Sequence, residues 1–328
     1  MKKQLLLFIL MSMLSLVASA QDFYFDNEKH HFGYVVSGQK LIHKFKLIND
    51  SSQPVTIESV SAANSSIQFE YTQTPIMPHH SGFVKITYPT ANLFSGGSKK
   101  GITVQCNGKN KRLTFSYYIL EDEDAENCLK ENNNNNDLMT FDLKGSVKTC
   151  IWTSSVNMYP SRKIHPFGDS LSFSPSGTYI NKNLHISRYK GGRIRKIVKD
   201  KFLWISYVYN NDGYVKNRLS QYETSFLTTK SIYSRENLKE EHSSDNLSRE
   251  LFPFYYDYIK FDSHGNWIER RVKTKRFKKD ESVTLSLIFG VGEEEDFEFY
   301  EKREIIYYDS SSEQNTQKKK NGKKTVTI

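Results

Sequence analysis

The sequence predicts an all-β protein: a two-sheet sandwich followed by an irregular antiparallel β-sheet domain. Three observations point there. Short segments alternate apolar and polar residues with the period of two that a half-buried strand requires. Clusters of Asn, Asp, Ser and Gly punctuate those segments at close intervals. The chain is also rich in Tyr (20) and Phe (21) among its 328 residues, and aromatic side chains favour the pleated surface of a sheet.

The first residues have a different purpose. Lys2 and Lys3 form a short positive region, Leu5 to Val17 an apolar one, and Ala18-Ser19-Ala20 the small-residue pattern of a signal-peptidase site. Residues 1–20 therefore read as a signal peptide, with Gln21 as the new N-terminus and export as the expected destination. The apolar run falls short of the ~20 residues of a bilayer span. No cysteine follows the cut, so the signal is not of the lipoprotein kind.

Residues 21–120 read as one antiparallel unit. Alternation recurs at Leu41 to Ile48, Val55 to Val60, Ile67 to Tyr71, Phe83 to Tyr88, Ile102 to Cys106 and Leu113 to Ile119. Asn49-Asp50-Ser51-Ser52 and Ser95-Gly96-Gly97 read as turns. Asn107-Gly108 predicts a tight hairpin, because both residues tolerate positive φ. Strands of this length over about a hundred residues suit a sandwich.

The order Phe32-Gly33, Val36 to Lys46, Val55 to Val60, Pro75-Ile76-Met77-Pro78 and Phe83-Val84-Lys85-Ile86-Thr87-Tyr88 resembles the DUF1573 domain over residues 22–118. The resemblance implies an immunoglobulin-like sandwich of a kind common in exported Bacteroidetes proteins. Two departures stand out. Ala62-Ala63-Asn64-Ser65-Ser66 occupies the place where family members often carry Cys-Gly-Cys, so no redox or metal role of such cysteines is expected here. His79 follows Pro78 where Pro-Gly is usual.

Residues 121–137 read as a flexible linker: Glu121-Asp122-Glu123-Asp124 leads to the tract Asn132 to Asn136, a composition that buries little. In residues 138–310 three segments share a plan of aromatic, polar pair, glycine and strand. They are Phe173 to Tyr179, Tyr209 to Val215 and Phe261 to Trp267, with glycines 36 and then 52 residues apart. This plan resembles the YD (RHS-type) repeat, which implies a domain of stacked hairpins. Arg235 to Leu251, polar and mixed in charge, reads as an exposed helix or an insertion loop. Residues 311–328 read as a disordered basic tail.

Charge and cysteines narrow the partners. The formal charge of +9 falls to +7 without Lys2 and Lys3, and the tail, with five lysines against Glu313, holds +4 of that. A body near +3 argues against nucleic acid and leaves peripheral contact with an anionic membrane surface to the tail. Three cysteines do not make a disulfide scaffold. Cys106 lies on the core side of its strand. Cys128 and Cys150 flank the linker region and are the candidate disulfide.

No catalytic frame emerges. His30-His31 and His79-His80 are adjacent pairs, whose rings point to opposite faces in a strand, and no His-Glu-x-x-His or Cys-x-x-Cys frame exists. No Gly-x-Ser-x-Gly elbow is present. Gly290-Val291-Gly292 leads straight into Glu293 to Asp296, which would repel a phosphate. Carboxylate pairs for glycoside hydrolysis are decided by distance. No cofactor, metal or catalytic residue is expected. Trp204, Tyr214 and Trp267 are candidate ligand-contacting aromatics for a sugar; the alternative is that they serve the core or cross-strand pairs. The expected partner is accordingly an envelope protein or a glycan.

Overall fold

The computed structural model describes residues 23–308 except 132–136, 156–169, 223–224, 235, 246 and 278–292. The expected signal peptide, the asparagine tract, Gly290-Val291-Gly292 and the basic tail lie outside the described residues. The chain is nearly all β, as its composition predicts, and divides into two compact units at Ile119 and Leu120.

The first unit has eight strands: β1 (Phe23–Phe25), β2 (Lys29–Val35), β3 (Lys40–Asn49), β4 (Ile57–Ser61), β5 (Gln68–Tyr71), β6 (Ser81–Pro89), β7 (Gly96–Cys106) and β8 (Lys109–Ile119). They form two four-stranded sheets in the orders β1-β3-β6-β5 and β2-β8-β7-β4. The predicted alternation drives the packing. Phe45, Leu47, Val84, Ile86 and Tyr88 from one sheet meet Ile102, Val104, Cys106, Leu113, Phe115 and Tyr117 from the other in one buried cluster. Asn107 and Gly108 turn the β7–β8 hairpin at φ 44° and 71°, so the turn follows the residue preference that predicts it. Two parts were not predicted. β1 and β2 precede the expected strands, and β2 runs parallel to β8. Ser95-Gly96-Gly97 is not wholly a turn, because β7 begins at Gly96.

The second unit opens with helix α1 (Asp122–Leu129), where a flexible linker was expected. The reason lies in one face of the helix. Asn127 and Cys128 are buried, Asp124 pairs with Lys216 at 2.7 Å, and Arg193 donates to the Asn127 carbonyl. A 3-10 turn follows at Leu138–Phe141.

Twelve strands come next: β9 (Val147–Ser154), β10 (Ser170–Phe173), β11 (Tyr179–Ile180), β12 (His185–Arg188), β13 (Ile194–Val198), β14 (Leu203–Tyr209), β15 (Val215–Tyr222), β16 (Ser225–Ser234), β17 (Asn237–Asp245), β18 (Phe254–Phe261), β19 (Trp267–Phe277) and β20 (Glu294–Tyr307). All join one antiparallel sheet in the order β11-β10-β9-β20-β19-β18-β17-β16-β15-β14-β13-β12. The sheet's two edges, β11 and β12, are neighbours in sequence. Asp137 touches both: its carboxylate accepts from the Tyr179 backbone N–H at 2.8 Å and from both Arg188 guanidinium nitrogens at 2.6 and 2.7 Å. Residues 137–144 are held by strands from both ends of the order, so the sheet coils around this segment.

The three glycine loops of the sequence are hairpin turns of one design, and a fourth shares it. In each, a Ser, Asn or Asp side-chain oxygen accepts the backbone N–H four residues on, and the residue before that donor has positive φ. The pairs are Ser174 with Thr178, Asn210 with Tyr214, Asp262 with Asn266, and Asp245 with Arg249. Gly177, Gly213 and Gly265 take the left-handed position in the first three; Ser248 takes it in the last, at φ 60°. That last loop closes a β17–β18 connection within the region expected as a helix or insertion. β17 was overlooked because a paired Glu241, and not an apolar residue, fills one of its buried positions.

Candidate functional site

The three aromatics singled out by the sequence are buried, which corrects their assignment as ligand contacts. Trp204 lies beneath the Lys196 ammonium at 4.1 Å and packs edge-on against Phe226, while its indole N–H donates to Gln221. Tyr214 packs on Tyr233 with ring centroids 5.1 Å apart. Trp267, 2% exposed, donates its indole N–H to Asp142 at 2.8 Å. The alternative reading, core and cross-strand packing, is the one the structure takes. They sit on β14, on the β14–β15 loop and on β19.

Trp267 belongs to a charged and aromatic interior. The Arg303 guanidinium lies 3.6 Å from the Trp267 ring centroid and 4.5 Å from that of Trp152. It also donates to the Asp142 and Phe141 carbonyls at 2.7 and 3.1 Å. Arg270 stands 4.0 Å over Trp267 and pairs with Glu301 at 2.6 Å. Along the same sheet Glu241 accepts from Arg218 and from the Tyr256 hydroxyl, both at 2.6 Å. Burial lowers the Arg303 pKa to about 10, with Asp142 opposing the shift. Most of these polar atoms find partners inside the sheet, as buried charges must, while the Arg303 Nε is buried without a hydrogen-bond acceptor. Sequence reading overlooked them because each lies within an ordinary charge-rich strand; only their placement opposite one another distinguishes them.

Lys196 is a further buried charge, 6% exposed. Trp204 favours its ammonium form through the ring face. Burial, followed by the charge of Arg195, acts the other way and prevails, bringing its pKa down to about 7. In the unfolded chain a lysine stays protonated to about pH 10.4. Between these values the unfolded state binds more protons, so the lysine's contribution makes stability rise with pH. Lys196→Met is expected to raise the urea midpoint at pH 7 and to flatten its rise between pH 7 and 10, read from denaturation curves across that range.

The candidate disulfide is absent. Cys106, Cys128 and Cys150 are all free and buried. Cys128 lies on the helix that replaces the expected linker, beside Tyr189 and Tyr209, whereas Cys150 is on β9 near Trp152 and Arg303. Desolvation pushes the Cys106 and Cys150 thiols up to about 11 and raises that of Cys128 as well. Three thiols are expected to react with Ellman's reagent in denaturant, and none within minutes in the native protein at pH 8.

Two open surface depressions stand out among the described residues. In the second unit β17 and β18 are joined by only two residue pairs, Glu240 with Tyr255 and Glu241 with Phe254. Beyond these the strands separate around an opening of about 550 Å³ lined by Ser234, Asn237, Lys239, Asp257, Tyr258 and Phe261, among others. In the first unit a notch of about 310 Å³ lies between Ala63 and Asn64 on one side and Lys99, Lys100 and Gly101 of β7 on the other. Among the described residues no group of three His, Cys, Asp or Glu side chains is arranged to hold a metal ion, and no helix is long and apolar enough to cross a membrane. His30, one of the paired histidines, stacks on His43 with centroids 3.6 Å apart.

The architecture defines an all-β protein with an immunoglobulin-like sandwich at its N-terminal side. Residues 23–118, which form that sandwich, match the model of the DUF1573 family, described as a protein of unknown function. No curated protein matches the chain. Among solved structures, a protein of unknown function from Porphyromonas gingivalis W83 is 15% identical, with 29% of this chain and 46% of that one covered and a TM-score of 0.26. The ASH/PapD-like domain 7 of human CEP192 is 16% identical over 31% of this chain and 87% of that one, with a TM-score of 0.27. The secreted serine protease VesC from Vibrio cholerae is 10% identical over 90% and 52%, with a TM-score of 0.28. The chain thus spans less than half of the Porphyromonas protein, and likenesses this distant carry no activity across.

Proposed function

We propose that this protein is a non-enzymatic module, exported to the cell envelope or surface, that works by contact with another envelope component. The observation that carries the reading is the division of its side chains. Asp137, Glu241 and Glu301 are each bound to an arginine inside the second unit. Large apolar side chains meanwhile stand in solvent: Phe94 at 95% exposure, with Ile42, Met77, Phe202, Leu247 and Ile259 each more than half exposed. Carboxylates so engaged fit a role in the fold, and an exposed ring such as Phe94 fits a surface that makes contacts. Export rests on Lys2, Lys3, the apolar run to Val17 and Ala18-Ser19-Ala20. The test is a broad panel of hydrolase substrates offered to the purified protein, together with N-terminal sequencing of the form found in envelope fractions. No turnover and a start at Gln21 are expected; turnover at enzyme-like rates would overturn the reading.

A second reading is sugar binding by the C-terminal domain, moved from the buried tryptophans to the opening between β17 and β18. Its polar groups (Ser234, Asn237, Asp257) stand beside Tyr258 and Phe261, the mixture that hydrogen-bonds and stacks on a sugar ring. A glycan or peptidoglycan fragment retained by the protein and lost on Phe261→Ala would favour it; equal retention by that variant would end it.

A further inference from the structure

β7 is longer than its neighbour on one side. β8 pairs with it along its whole length, from Gly96 opposite Ile119 to Cys106 opposite Lys109. β4 covers only Thr103 to Cys106. From Gly96 to Ile102, about 23 Å of strand, no strand among the described residues pairs on the other side. In such a run every second residue turns both its N–H and its C=O towards the open side.

Three features distinguish this edge from an ordinary exposed strand. Phe94, two residues before it, is 95% exposed, while its neighbour Leu93 packs against the core. Gly97 and Gly101 keep the outward face low, and Arg112 from β8 lies across Gly101, its Nη2 3.3 Å from where a Cβ would stand. Lys99 and Lys100 line the adjoining notch, with no acidic side chain among its lining residues. Arg112 adds a third cation.

The charge decides the occupant. Lysines on an open edge disfavour pairing of two copies, since like charges would come together across the new ladder. An acidic strand meets the same residues as partners. We infer that the β7 edge, Gly96 to Ile102, is a docking site for an extended acidic segment of a partner protein, added as an extra strand beside β7 with an apolar side chain against Phe94. Main-chain hydrogen bonds supply the affinity of such an addition and the flanking side chains its selectivity. The inference rests on the contact reading above and says which surface makes the contact.

The test uses the full chain and a fluorescent seven-residue peptide alternating valine and glutamate, followed by anisotropy. Two controls accompany it: the same peptide with lysine for glutamate, and the glutamate peptide N-methylated at alternate residues. Saturable binding of the glutamate peptide alone is expected, weakened by salt and on the order of tenfold by Lys99→Glu with Lys100→Glu. Phe94→Ala is also expected to weaken it. These positions are outside the sandwich core, and circular dichroism checks that the variants fold. Equal binding of the lysine or N-methylated peptide, undiminished binding by the double variant, or self-association of the protein in place of peptide binding would overturn the inference. Should the double variant still retain the envelope partner of the wild type, this site fails while the contact reading stands.

Discussion

Trp267→Ala is expected to destabilise the second unit by about 3–5 kcal/mol, the usual cost of emptying a large buried aromatic site. Several interactions fail together. The cavity left behind removes the ring beneath Arg303 and Arg270, and it deprives the Asp142 carboxylate of the indole N–H donor. Asp142 itself sits in the left-handed region at φ 55°, so the segment it belongs to depends on such contacts to keep its path. Trp267→Phe keeps a ring but not the donor, and a loss of about 1–2 kcal/mol is expected. Thermal or urea unfolding followed by tryptophan fluorescence and circular dichroism separates the two. A change below about 1 kcal/mol for Trp267→Ala would mean that the interior stack does not hold the coiled sheet.

Glu301→Gln is expected to cost about 3–5 kcal/mol, because it leaves the Arg270 guanidinium buried without its counter-charge. Burial disfavours the charged form of Arg270, yet the Glu301 carboxylate outweighs it, and the pKa stands above the ordinary arginine value. Both side chains are less than a tenth exposed. Arg270→Met together with Glu301→Met is expected to recover most of the loss, since an apolar pair has no desolvation to compensate. A double-mutant cycle measures this directly: strong coupling fits a pair that serves each other, and additive losses would contradict it.

Much of the first unit was legible because its strands obey alternation. Leu41 to Ile48, Phe83 to Tyr88 and Leu113 to Ile119 all lie within observed strands, and Asn107-Gly108 makes the expected hairpin. The second unit was harder for a physical reason. Its sheet buries Glu241, Arg270, Glu301 and Arg303 on positions that an apolar pattern would mark as core, so a period-two search passes over them. The acidic run at 122–124 likewise hides a helix, since Cys128 and Asn127 are buried a turn later. The aromatic turns were recognised as turns, but nothing local tells whether Trp267 faces solvent or the Arg303 side chain. The open edge of β7 escaped because Gly96 and Gly97 read as a turn and because an edge depends on where β4 stops.

The most direct measurement is a cross-linked pull-down from native envelope fractions with the full chain as bait. The account predicts a distinct protein partner, retained in proportion to bait and released by salt. Recovery of polysaccharide or peptidoglycan fragments with no protein would contradict it and move attention to the opening between β17 and β18.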